Sequence, residues 1–150
     1  SMTYDSAADT QEHITQVRKR LHKMIAGLHD RADMHDLSKL SSPEKEAYDE
    51  LTPRLVGLTY GSDEYRATLR EMKPAIKHHY EANTHHPEHY PDGIAGMDLL
   101  DLVEMLCDWA AASLRHKDGD FAKSLQINKE RFGISDQLLA ILANSVPLVE

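Results

Sequence analysis

Apolar residues recur along this chain at three- and four-residue intervals, and no stretch shows the period-two alternation of a half-buried strand. Ile14, Val17, Leu21, Met24 and Leu28 share one helical face, and Asp9 with Glu12 makes a capping-box-like start, predicting an amphipathic helix from about residue 10 to residue 28. Ser42-Pro43-Glu44 combines an N-cap residue, a first-turn proline and an acid, and Tyr48, Leu51 and Leu55 follow on one face, with Pro53 able to end or bend that helix. Ser62-Asp63-Glu64 starts another helix through Leu69, Met72 and Ile76 towards His79, with a kink expected at Pro74. "NTHHPEHYPDGIAG" interrupts the pattern with prolines and glycines and reads as an irregular loop. Asp98 restarts an apolar helix in which Leu99, Leu102, Val103 and Leu106 are expected to face the core, with Trp109 beyond. Two shorter helices follow, near residues 120 to 130 and after Ser135-Asp136. The reading is all-α: a compact single-domain bundle of about six or seven helices.

Composition narrows the picture. A 150-residue chain is long enough for one core without disulfides, and no apolar run approaches the roughly 20 residues that span a bilayer. Cys107 is the one cysteine and no secretory pattern opens the chain, so a cytoplasmic setting is expected. A formal charge of −8 argues against stable binding to nucleic acid or an anionic membrane, which needs clustered Lys and Arg. Apolar faces at the C-terminus are compatible with internal packing or a homodimer.

Ten histidines change the picture more than the charge does. His13 lies near the edge of the first apolar face. In "MHDLSKL" His35 abuts Asp36, with Lys39 three residues on. "HHYEANTHH" supplies His78 and His79, then His85 and His86; each pair is seven apart, so members separated by two helical turns can share a face. Asp101, Glu104 and Asp108 also stack at helical spacing, and a carboxylate in so apolar a segment needs a partner. Imidazoles with carboxylates are a ligand set for Mn, Fe, Zn, Co or Ni, one or two ions per chain. The bland readings are equally concrete. His29-Asp30 reads as a surface pair, His22 and His116 as solvated helix positions, Trp109 as core, and Glu44 and Glu46 as acids favoured at a helix start, although a carboxylate near the metals could serve as general acid or base. His89 and Tyr90 could line a substrate entrance or simply pin the loop.

The order His13, His35-Asp36, the two histidine pairs and Asp108 resembles that of the HD-domain metal-dependent phosphohydrolase superfamily. "HDLSK" is similar to the His-Asp-x-Gly-Lys stretch of its cyclic-dinucleotide phosphodiesterase branch, with Ser38 replacing glycine, and "HHYEANTHHPEHYPDG" to that branch's second histidine cluster. A whole extra helix separates Asp36 from His79, and the Gly-Tyr-Pro signature is absent. "HHPEHY", "EMLCDW" and "NKERFGIS" resemble, over nearly the whole chain, small phage and bacterial proteins whose shared domain has no known function.

The superfamily resemblance implies an HD-like helical metal-binding domain at 9–150; residues 1–8 before it are expected to be disordered, and Ser1-Met2 itself reads like a tag scar. It implies metal ligation by His13, His35, Asp36 and Asp108, with His79 and His86 chosen as additional ligands, and Lys39 and Asp36 at the chemistry. The implied activity is hydrolysis of a small phosphorylated substrate, a nucleotide above all, by a metal-activated water, in a bacterial or phage-infected cell. The alternatives are a di-iron oxygenase on the same fold and a non-catalytic phage protein that binds a nucleotide or a host protein.

Overall fold

A computed structural model describes residues 3–115 and 119–150; Ser1-Met2 and His116 lie outside them. Among the described residues there are six α-helices and four short 3-10 turns, and no strand. No helix among them is long and apolar enough to cross a membrane. The chain divides into two units, Ser1–Met34 and His35–Glu150.

The first unit is one helix, α1 (Ala7–Met34), longer than its periodicity predicts at both ends. It begins two residues before Asp9, where Asp5 Oδ1 accepts the Ala7 N–H at 2.9 Å in place of the expected capping box. None of its residues is buried. Ile14, Val17, Leu21 and Met24, expected on a buried face, are exposed, and Leu28 is half-buried. Apolar spacing marks a face that can be covered; it does not supply the cover.

The second unit opens with a turn at His35-Asp36 and a 3-10 turn at Leu37–Leu40, followed by α2 (Glu44–Val56) and α3 (Asp63–Ala82). The cap of α2 falls on Pro43 rather than Ser42, and the helix runs past Pro53 because a proline in the last turn costs a single intrahelical bond. Ser62 caps α3 by accepting the Tyr65 N–H at 3.2 Å, and α3 continues through Pro74. α2 and α3 pack together, burying Leu51, Thr68, Met72 and Ala75.

The histidine-rich segment is an irregular loop holding 3-10 turns at Pro87–His89 and Gly93–Gly96. A Cβ on Gly96 would stand 2.7 Å from the Tyr90 Cβ, so the loop folds closely on itself there. α4 (Leu99–Leu114) starts with a capping box between Asp98 and Asp101. It has two different faces. Leu106 and Ala110 are buried, and Leu106 joins Leu125 of α5 (Phe121–Phe132), Ile134, and Leu142 of α6 (Asp136–Ser145) in the core. Trp109 packs on that cluster and stacks on Phe132 at 6.1 Å between centroids. Leu99 and Val103, expected in the core, are exposed. The turn of the helix directs Asp101, Glu104 and Asp108 elsewhere, towards the histidine loop.

Candidate metal centre

Asp36 is the starting point. It adopts the left-handed conformation, φ 55° and ψ 14°, and is the sole non-glycine residue among those described with positive φ. Aspartate tolerates that region better than most residues, and an observed departure of this kind points to a constraint on where the side chain must go. Here it brings the carboxylate among the histidines of α3 and the loop. Asp36 Oδ1 lies 3.3 Å from His79 Nε2 and 3.4 Å from His85 Nε2. His79 Nε2 is in turn 3.0 Å from His86 Nε2.

Asp36, His79, His85 and His86 thus present four ligand atoms within 4.8 Å of one another, and His35, His85 and Asp108 form a second such group. His35 Nε2 is 3.8 Å from Asp108 Oδ1, and His85 Nε2 is 3.6 Å from Asp108 Oδ2. His85 belongs to both groups, yet one nitrogen lone pair serves one ion. The groups are therefore overlapping positions competing for the same ring.

Carboxylates behind the rings decide which nitrogen each presents. Glu44, completely buried at the start of α2, accepts the Nδ1–H of His79 at 2.7 Å with one oxygen and that of His78 at 2.6 Å with the other. Burial opposes its ionisation, but bonds from Ser38, His78 and His79 hold its pKa below the ordinary value. A carboxylate can only accept, so the His79 lone pair is left on Nε2, facing Asp36. On α4, Glu104 Oε2 lies 2.7 Å from His35 Nδ1 and 2.8 Å from His85 Nδ1.

The loop that brings His85 and His86 here is tied down on both sides of them. Asp101, with no exposed surface, accepts from Thr84 Oγ1 at 2.7 Å and from Tyr90 Oη at 2.6 Å, and closes its capping box through the Asp98 N–H at 3.0 Å. His89 Nδ1 pairs with the Tyr80 carbonyl at 2.9 Å. Tyr90 and His89 thus have the pinning role.

Several atoms lack ordinary partners. Asp36 Oδ1 and both ring nitrogens of His85 are buried without a hydrogen bond, although each has an opposite charge close by. His79 Nε2 and His86 Nε2 stand 3.0 Å apart, a contact in which one ring must donate to the other unless a cation takes both lone pairs. A cation among these atoms would satisfy Asp36 Oδ1 and the Nε2 atoms of His79, His85 and His86, while His85 Nδ1 faces Glu104. Zinc-like bonds of about 2.0–2.1 Å give a tetrahedral edge of about 3.4 Å, close to the separations of Asp36 Oδ1 from His79 and His85. The residues present fit a transition-metal ion.

Electrostatics agree with geometry. Burial disfavours the His85 imidazolium, yet the nearby carboxylates of Asp108, Asp36 and Glu104 outweigh it and raise its pKa to about 11. The His35 pKa is raised chiefly by Glu104. Burial raises the Asp36 pKa, but His79, His85 and Lys39 hold it far below the ordinary carboxylate value. Asp108 is likewise lowered by His85 against the effect of burial. His86, buried and beside His85 and His79, is pushed down to about 4 and stays a neutral donor. The protein alone gathers negative charge around a point and leaves a proton on His85 to answer it.

Of the residues singled out in the sequence, His35, Asp36, His79, His86 and Asp108 fall within the two groups. In the second pair both members turn inward, so His85 joins His86 in the first group. His78 instead takes the outer oxygen of Glu44. His13 is exposed on α1 and belongs to neither group. Lys39 Nζ lies 3.4 Å from Asp36 Oδ2 and 5.4 Å from the Tyr48 ring centroid, with 44% of its side chain exposed. Sequence reasoning placed Glu44 first as a helix-start acid and did not foresee it behind His78 and His79, and it gave Glu104 no role although its register with Asp108 was visible.

The described residues thus form an all-helical protein with four imidazoles and two carboxylates directed at one place. The chain belongs to the family described as "Family of unknown function (DUF5662)", which matches residues 2–147. No curated protein and no solved structure matches it.

Proposed function

We propose that this protein is a metal-dependent phosphohydrolase acting on a phosphate ester, with nucleotides as the substrate class and phosphomonoesters preferred within it. The observation that carries the proposal is the set of four donor atoms offered by Asp36, His79, His85 and His86, two of whose owners hold buried atoms without hydrogen bonds. Asp36, His79, His85 and His86 would hold one ion; His35 and Asp108 offer a neighbouring position if His85 is shared differently. Bound there, a divalent ion would act as Lewis acid and lower the pKa of a water.

Lys39 supplies what the metal ligands do not, an exposed cation beside Asp36 that an incoming phosphate can reach. In a chain of net charge −8, local positive charge is a requirement for any anionic substrate. The Tyr48 ring beneath its ammonium restrains it.

The test is metal content by elemental analysis of untagged wild-type protein and Asp36→Ala, followed by phosphate release from a panel of nucleotides. About one or two equivalents of Mn, Fe, Zn, Co or Ni, lost in the variant together with phosphate release, is the expected result. Metal binding without turnover of any phosphate ester would turn the reading to a binding protein. The imidazole-rich donor set also suits redox-active iron; iron with oxygen consumption and no phosphate release would favour an oxygenase.

A further inference from the structure

Glu104 lies outside both groups of candidate ligands, yet one of its oxygens touches a ring from each side of the site. Oε2 accepts the Nδ1–H of His35 at 2.7 Å and lies 2.8 Å from His85 Nδ1. The second approach is an ion-pair contact rather than an aligned hydrogen bond, since His85 Nδ1 is without a hydrogen-bond partner. Its consequence for the tautomer is the same. A carboxylate oxygen and a bare nitrogen lone pair repel at 2.8 Å, so His85 Nδ1 carries hydrogen and its ligating lone pair is on Nε2. The Glu104 side chain is only 9% exposed, and a buried carboxylate of this kind is stabilised by the N–H groups it receives. The two rings lie 4.5 Å apart between centroids, close enough for one oxygen to serve both.

Resting on the metal-site reading above, we propose that Glu104 is a positioning residue that fixes the tautomer and orientation of His35 and His85 together, so that both present Nε2 to bound metal. Backing carboxylates of this type raise ligand basicity and are worth 10–100-fold in metal affinity. His85 is the ring shared by the two groups, so Glu104 also determines whether either position has its full ligand set.

The experiment compares wild type, Glu104→Gln and Glu104→Ala, all first shown to be folded by circular dichroism. Zn2+ affinity is measured by chelator competition, and ring tautomers by 15N chemical shifts of His35 and His85 in the Zn2+-loaded protein. The expected result is Nδ1–H with zinc on Nε2 in wild type, about 10–100-fold weaker binding with altered ring shifts in Glu104→Ala, and partial rescue in Glu104→Gln, which keeps an acceptor oxygen. Wild-type zinc binding with unchanged affinity and ring shifts in Glu104→Ala overturns the role of Glu104 and leaves the metal site standing. Absence of zinc binding in wild type overturns both. Equal losses in the Gln and Ala variants, without a ring-shift change, would reduce Glu104 to bulk charge and also overturn the proposal.

Discussion

Two His-Asp pairs stand six residues apart in this chain and have opposite surroundings. His29-Asp30 lies within α1, helical and exposed. His35-Asp36 lies just beyond that helix, where Asp36 takes a left-handed backbone and its carboxylate meets His79, His85 and Lys39. The dipeptide is identical, so composition cannot distinguish the two. What distinguishes them is the backbone around each pair and whether other elements bring partners to it. The same contrast holds for the remaining histidines: His13 and His22 are exposed on α1, whereas His79 and His85 are buried against Glu44 and Glu104.

The largest expected effect comes from removing the carboxylate of one pair and then of the other. Asp36→Ala should weaken metal binding by at least about 100-fold, more than the loss of a backing residue, while the helical circular dichroism remains. Asp30→Ala should leave metal affinity unchanged. Equal effects from the two variants would mean that the contrast between the pairs is unimportant to binding.

Asp101→Ala comes next. It leaves Thr84 and Tyr90 without their buried charged acceptor and should destabilise the fold by about 2–4 kcal/mol in urea denaturation, with looser metal binding because the loop carrying His85 and His86 is freed. Unchanged stability would show that the loop is held by other means.

Titration gives a sharper reading of the buried histidines. The His85 pKa is raised to about 11, so the ring is protonated at neutral pH and must lose that proton to bind metal. Calorimetry in buffers of different ionisation enthalpy should detect about one proton released per ion at pH 7, and affinity should rise roughly tenfold per pH unit while that proton is being displaced. Without metal the sign is reversed for folding. A raised native pKa contributes stability that is fully present below the unfolded value of about 6.5 and is lost as pH rises towards 11. No proton release would place His85 outside the ligand set.

The smallest effects belong to the exposed helix. His13→Ala, His22→Ala and His29→Ala should each change stability by no more than about 0.5 kcal/mol. Loss of metal in His13→Ala would identify that residue as a ligand.

Much of the fold was legible before any coordinates. The starts at Ser62, Asp98 and Ser135 are signalled by side chains that cap their own backbone within three residues, and the sequence displays such local bonds directly. The all-helical class follows from periodicity in the same way. Burial was less legible, as Leu99 and Val103 demonstrate, because a stripe on α4 records amphipathicity without saying which stripe meets α5 and α6.

For the site, sequence by itself determined the inventory: imidazoles at 35, 79, 85 and 86 and carboxylates at 36, 104 and 108, with α4 placing the last two on one face. Only tertiary structure decided their roles. It turned both members of the second pair inward, assigned Glu44 and Glu104 to Nδ1 atoms and left the Nε2 atoms of His79 and His85 facing Asp36. The reason is one of range. Caps and periodicity act within a few residues, whereas His35 and Glu104 are 69 residues apart in sequence, and no local pattern encodes a contact made by folding one helix face against a distant loop.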